Sequence, residues 1–345
     1  MAYTTIDKST LHFSTLKYTG NGSDAHSITG VGFQPDMVWT KNRNHAADHY
    51  VHDAVRGVHK AIRPNNNSGT YDTSINLQSF DSDGYTLGTQ DGLNKNGDPI
   101  IAYNWKAGGG QGSANTTGSI NTTYTSANTT AGFSIMQYNG NGSAGATIGH
   151  GLGAAPKCVW IKRLDTTSNW IFGTHATGFT KFLYINDTAT ETTNSGTFNN
   201  TAPSSSVITL GSWNDVNNSS GTYVAYAWTE IQGYSKFGLY EGNGQANGSF
   251  VYTGFKPAWI LIKGKGTAEH WHMYDDERPG YNTSWRLIPS LSNVESSSID
   301  LDIYSNGFKN KSNQNNCNGS GQGYVYMAFA QAPFVGSNNV PCTAR

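Results

Sequence analysis

The side chains best suited to chemistry fall into three groups. His45, His49, His52 and His59 form the densest run of imidazoles. Helical spacing would bring His45, His49 and His52 to one side, as a metal site needs. No cysteine supports them and no other part of the chain repeats the cluster, so histidines of a loop or surface are the preferred reading, with at most a short helical piece near His45 to His59. Asp81-Ser82-Asp83-Gly84 resembles the start of a calcium loop, with oxygen ligands at alternate positions and a glycine bend. The related stretch Tyr304-Ser305-Asn306-Gly307-Phe308 keeps the turn with a neutral side chain, which favours a plain hairpin turn. No metal site is expected from either.

The third group is Trp271, His272, Asp275 and Arg278. Two readings are open. The four side chains form a ligand-facing patch, with the ring stacking on a sugar and the charges holding hydroxyls. Alternatively, Asp275 and Arg278 are a local carboxylate–guanidinium pair that orders a loop. Asp53-x-x-Arg56 stands in a similar place earlier in the chain, whereas Trp170-Ile171-Phe172-Gly173-Thr174 lacks both charges. Catalytic machinery is not evident. No Gly-x-Ser-x-Gly elbow, Walker phosphate loop or His-Glu-x-x-His motif occurs. Carboxylates are too few and too bound up with turns to form a glycosidase pair. A non-enzymatic chain, with no catalytic residues and no cofactor, is the expectation.

What must position these groups is a unit written three times. Lys236 to Lys263 runs from an alternating apolar segment through Gly242-Asn243-Gly244 to an apolar run ending in lysine. Phe133 to Lys162 and Phe13 to Lys41 repeat it around Gly140-Asn141-Gly142 and Gly20-Asn21-Gly22. Period-two runs separated by Gly-Asn-Gly read as strand, turn, strand. Trp39, Trp160 and Trp259 recur in the three apolar runs and are taken as structural core. Each unit closes on a second apolar strand, at Ile100–Ala107, Tyr223–Glu230 and Tyr324–Ala330. The expected fold is all-β: three antiparallel β-sandwich repeats, jelly-roll-like, packed with approximate threefold symmetry. Their boundaries are residues 1–107, 132–232 and 233–332. A Gly/Ser/Asn/Thr-rich linker covers 108–131, and 333–345 form a C-terminal tail.

Composition agrees. The 345 residues carry a net charge of −1, with 41 glycines and 19 tyrosines, so the chain suits turns and strands. Balanced charge gives no attraction to nucleic acid or acidic membrane. No basic segment followed by an apolar core opens the chain, and no apolar run reaches the ~20 residues a membrane helix needs. The three cysteines, Cys158, Cys317 and Cys342, lack metal or disulfide spacing.

DHYVHDAVRGVHKAI, FDSDGYTLGT, IIAYNWKAGGG, YEGNG…FVYTGFKPAWILIK and YVYMAFAQAPF together resemble the repeat domain of tail-fibre-like surface appendage proteins of tailed bacteriophages, marine ones especially. The resemblance spans nearly the whole chain and is strongest in the first and third units. It supplies no catalytic residues. It implies a virion structural protein on the particle surface, made in the host cytoplasm and serving host attachment. The implied partners are other virion proteins, further copies of the chain (a trimer is favoured) and a host surface glycan, without nucleic acid or membrane insertion. A capsid decoration protein is the alternative, and a virion-associated polysaccharide-active enzyme a more distant one.

Overall fold

The computed structural model describes residues 3–278, 282, 285–298 and 300–335. It is built almost wholly of antiparallel strands, and three sheets carry the architecture. Each has the same four-strand kernel, ordered opening strand, closing strand, tryptophan strand and a fourth strand. In the first repeat these are Phe13–Thr19, Pro99–Trp105, Met37–Asn42 and Tyr50–Asp53. In the second they are Phe133–Asn139, Thr222–Trp228, Cys158–Arg163 and Trp170–Thr174. In the third they are Ser235–Glu241, Gly323–Pro333, Phe255–Gly264 and His272–Asp275.

The tryptophan and closing strands are buried over nearly their whole length because both faces are covered. Alternate residues point to opposite faces, and the two sets go to different cores. Met37 and Trp39 of the first repeat face a core shared by all three sheets. Val38 and Ala102 face outward onto a smaller sheet of His26–Thr29, Gly84–Leu87 and Leu77–Asp81, packed around Leu77, Tyr85 and Leu87. The third repeat builds the same sandwich with Phe250–Tyr252, Gly307–Asn310 and Leu301–Tyr304, and the second with Thr147–Gly149 and Val207–Thr209. The layers are thus sandwiches with a jelly-roll-like interleaving: in the first repeat the opening and closing strands neighbour in one sheet, and His26–Thr29 and Gly84–Leu87, which follow and precede them, neighbour in the other.

Trp39, Trp160 and Trp259 are all buried in the shared core, with ring centroids 5.8 Å (Trp39–Trp160) and 6.3 Å (Trp39–Trp259) apart. They are nevertheless not equivalent. Trp39 pairs across to Tyr103 and Trp160 to Tyr226, whereas Trp259 pairs to Phe329, and Leu261 takes the place opposite Met327. Each tryptophan strand runs from a proline to a buried lysine six residues on, and counting from Pro257 puts Trp259 level with Met37 and Cys158. The core therefore has two tiers by register. The third repeat contributes Trp259 with Phe329 to one and Leu261 with Met327 to the other. The indole N–H groups of Trp105, Trp160, Trp228 and Trp259 lack hydrogen-bond partners. Trp160 meets Trp228 edge-on at 4.7 Å and Trp105 meets Trp259 at 5.5 Å and 89°, the geometry in which ring faces interact with N–H edges.

The seams between repeats are cyclic. Lys41, Lys162 and Lys263 are fully buried. Lys162 Nζ donates to the Arg163 carbonyl at 2.7 Å and, across the seam, to Asn67 of the first repeat at 3.4 Å. Lys263 Nζ donates to the Gly264 carbonyl at 2.9 Å and to Thr188 of the second repeat at 3.2 Å. Trp170 and Trp271, neighbours of these lysines, donate their indole N–H across the same seams to Arg63 and Tyr184. The third seam, back to the first repeat, is closed by Arg43 and Glu295 at 2.8 Å. Burial pushes the Lys162 ammonium down to about 7 and those of Lys41 and Lys263 to about 8.

Each Gly-Asn-Gly turn is clamped by a buried asparagine just before the closing strand. Asn94, Asn217 and Asn318 accept the backbone N–H of Asn21, Asn141 and Asn243 at 2.9, 2.9 and 3.0 Å. Their amide nitrogens donate to neighbouring carbonyls, for Asn217 those of Ser143 and Gly211. The first glycine is obligatory, since a Cβ on Gly20, Gly140 or Gly242 would lie 2.3–2.4 Å from the carbonyl oxygen that follows the clamp residue. Replacing Asn217 with alanine strands several buried backbone groups and is expected to cost roughly 2–4 kcal/mol. Hydrogen exchange at the Asn141 amide checks it: exchange should accelerate in the variant, and unchanged protection would remove the clamp role.

Two expectations change. Residues 108–131 are not a loose linker. Ala107, Gly109 and Gly110 donate N–H to the Asp36 carboxylate at 2.6–3.0 Å. Thr122–Asn128 then adds an edge strand to the second sheet, and Ile120 is buried. His45 to His59 contains the strand Tyr50–Asp53 where a helical piece was expected. Of the tail, residues up to 335 are described and 336–345, with Cys342, lie outside the described residues. Cys158 and Cys317 are free and buried.

Candidate ligand-binding cavity

Trp271, Asp275 and Arg278 are interior and cannot face a ligand: Trp271 is 0% exposed and the two charged residues 2%. Trp271, Met273 and the shared core lie on one face of the strand, so the indole is packed against Phe172 at 4.8 Å. Asp275 Oδ2 accepts from Arg278 Nε at 2.6 Å and from the Tyr103 hydroxyl of the first repeat at 2.7 Å. The Arg278 guanidinium also donates to the Trp285 carbonyl at 2.9 Å. The first repeat repeats the device. Asp53 Oδ2 accepts from Arg56 Nε at 2.5 Å and from Tyr226 of the second repeat at 2.6 Å. Where the second repeat has Thr174 and Thr177 in place of Asp and Arg, the third repeat's closing strand has Met327 in place of Tyr, and its Sδ lies 3.5 Å from Sγ of Cys158, the strand partner of Thr174. Carboxylate, guanidinium and tyrosine are present together or absent together. They form an inter-repeat lock.

The remaining candidates also resolve into structure. Asp83 caps the backbone N–H of Gly30 and Gly32 at 3.1 and 2.6 Å, as a turn residue would. Gly84 sits where a Cβ would strike the Ile28 carbonyl. His49, just before the strand Tyr50–Asp53, and His52, within it, are buried and not surface histidines as expected: His49 Nδ1 accepts from the Trp39 indole at 3.0 Å, His52 stacks with Tyr50 on the other face, and His45 Nδ1 meets Lys95 Nζ at 3.1 Å. The imidazoles do not converge. Among the described residues no group of three or more His, Cys, Asp or Glu could hold a metal ion.

His272 differs from its three companions. It lies on the outward face of the strand and borders a cavity of about 650 Å³ in the third repeat. Arg286, Asp300, Glu269 and the segment 313–316 share the wall, with Ile288 the one apolar side chain among its described residues. Arg286 Nη1 lies 3.3 Å from Asp300 Oδ2, which also accepts from the Tyr274 hydroxyl at 2.9 Å. His270 Nδ1 is 2.8 Å from Ser290 Oγ. Both ring nitrogens of His272, Arg286 Nε and Asn316 Oδ1 have no protein partner, yet each is closed off from solvent, so these atoms lie behind the wall and not on it. Burial, with Arg286 and His270 nearby, drives the His272 imidazole down to about 3, so the ring is neutral at physiological pH.

The same place is filled in the other repeats. Strand register sets His272 level with Tyr50 and Ile171. Tyr50 packs with Leu93, and its ring comes so near Gly92 that a Cβ there would meet it at 2.3 Å. Ile171 packs with Val216. The fold accepts an apolar side chain here twice, so the imidazole is not needed to build the sandwich.

A pH-dependent group follows the fourth strand of the third repeat. Asp276 is largely buried, neither carboxylate oxygen has a partner, and desolvation together with Asp275 raises it to about 7. A carboxyl raised in the folded state binds its proton more tightly there than when unfolded. Its contribution therefore favours the fold at low pH and is lost as pH rises from about 4 through about 7. Asp276→Asn should stabilise the chain at pH 8 and leave it little changed at pH 4. Melting temperatures across that range test this, and equal shifts at both ends would refute the raised carboxyl.

Comparison with known families gives one match: the model of a domain of unknown function, DUF7483, aligns with residues 8–333. No curated protein and no solved structure matches the chain.

Proposed function

The chain belongs to the DUF7483 family, and we propose that it is a non-enzymatic structural protein of a phage virion surface, serving host attachment as part of a tail fibre or appendage. The observation that carries this reading is the interlocked body. Three sheets bury one common core, and each repeat donates residues into the lock or seam of the next. Such a body resists local opening, because no repeat can unfold without exposing its neighbours' apolar faces. Away from the clamped Gly-Asn-Gly turns, its outer-sheet loops remain free to differ between repeats. A particle component meets that combination of a rigid frame and variable loops. The sequence resemblance to appendage repeats supports the same role.

Competition for adsorption tests it. Purified chain, added to host cells before phage, should slow adsorption of the phage that encodes it. Full-rate adsorption at saturating protein would count against an attachment role.

A further inference from the structure

Four residues before the clamp asparagines Asn94, Asn217 and Asn318 stand Gln90, Trp213 and Gln314. Each accepts the clamp residue's N–H on its carbonyl, at 2.8, 2.8 and 2.9 Å. That bond is kept with glutamine or tryptophan, so the turn itself does not need an indole. In the first repeat Gln90 is tied to the Tyr71 hydroxyl at 3.2 Å. In the second, Ser212, Trp213, Asn214 and Asp215 border an open cavity of about 360 Å³. The indole is backed by Phe182, edge-on at 5.4 Å, and by Gly196, where a Cβ would meet it at 2.8 Å. We propose that this cavity binds a neutral saccharide ring, which packs its C–H groups on the Trp213 indole and sets hydroxyls on Asp215 and Asn214.

The polar atoms of this site can be reached. Trp213 and Asp215 are partly exposed, and neither Trp213 Nε1 nor Asp215 Oδ2 has a partner among the described residues or is closed off from solvent. Asp215 Oδ1 accepts from the Ser168 hydroxyl and from the Asn169 N–H at 3.3 Å, which fixes the carboxylate and leaves Oδ2 free to accept. Asn214 is exposed; its Oδ1 takes the Asn218 amide at 2.8 Å and its own amide is left to donate. The Lys162 ammonium and the Arg163 guanidinium already act on Asp215, so the carboxylate does not call for a cation, and an anion would be repelled by it. A wholly apolar ligand would cover the indole N–H and the carboxylate oxygen without giving them partners. A sugar ring meets both demands, with C–H groups for the indole and hydroxyls that donate and accept. The volume falls at the lower end of the ~300–1,000 Å³ usual for small-molecule sites, which suits a single ring. This inference rests on the cavity and is independent of where the chain resides.

The test uses the full chain with its indole nitrogens isotopically labelled for NMR, titrated with the methyl glycosides of glucose, mannose and galactose. Trp213→Gln, which copies the other two repeats, identifies the Trp213 signal by its loss. At least one glycoside should shift that signal in a saturable way, while the fully buried indoles of Trp39 and Trp160 stay in place. Asp215→Asn, which copies Asn316 of the third repeat, keeps the indole and should weaken that glycoside by about tenfold or more. Trp213→Gln should abolish binding read from the glycoside's own signals, and melting temperatures check that both variants are folded. The proposal is overturned if none of the three glycosides shifts the Trp213 signal, or if either folded variant binds as tightly as the parent. It is equally overturned if methylammonium or inorganic phosphate, and no glycoside, gives the response.

Discussion

Asp275→Ala is expected to destabilise the chain by about 3–5 kcal/mol, because it leaves the Arg278 guanidinium buried without its counter-charge. The Tyr103 hydroxyl loses its acceptor in the same stroke. Denaturant titration measures the loss. The informative companion is the triple variant Tyr103→Met, Asp275→Thr, Arg278→Thr, which installs at this seam what the second repeat already uses with Met327, Thr174 and Thr177. Removing the charges together with the tyrosine abolishes the unpaired group, so the triple variant should be less destabilised than the single one. A buried ion pair is weak evidence of net stability, and replacing it whole is often nearly neutral. If the triple variant is the worse of the two, the three residues do not act as a unit.

Trp259→Ala should cost about 3–5 kcal/mol as well, for a different reason: it opens a cavity where three sheets meet. Trp259 lies against Trp39, Tyr103 and Trp105 of the first repeat as well as Phe329 of its own. The whole chain should therefore melt in one transition at lower temperature, with first-repeat amides losing protection together with third-repeat ones. Loss of the third repeat alone, with the first intact, would show separate cores and contradict the shared one.

Much of this was legible in the chain. The alternation of apolar residues, the Gly-Asn-Gly turns and the fully apolar closing strands announced an all-β antiparallel fold, and it is found. Residues 108–131 misled because low complexity resembles a linker, although Thr122 to Asn128 is rich in threonine, which suits a strand edge. Trp39, Trp160 and Trp259 are core as expected; the spacing from proline to lysine, which puts Leu261 and not Trp259 level in register with Trp39 and Trp160, was the signal left unread.

The expected ligand patch does not form as one surface. Trp271, His272, Asp275 and Arg278 are adjacent in sequence, but a strand sends successive side chains to opposite faces. That period alone separates Trp271, Met273 and Asp275, which turn inward, from His272 and Tyr274. Arg286, Asp300 and Asn316 joined His272 only through long-range folding, and no local spacing marks them. The clamp asparagines had a signal that was passed over: Asn94, Asn217 and Asn318 each stand shortly before a glycine and the closing strand.

Gold-labelled antibody against this chain, applied to intact purified particles of a phage whose genome carries its gene, tests the proposed attachment role most directly. The account predicts label concentrated at the tail or its fibres. Label spread over the head would replace attachment with decoration of the shell, and particles carrying no label would contradict a virion protein altogether.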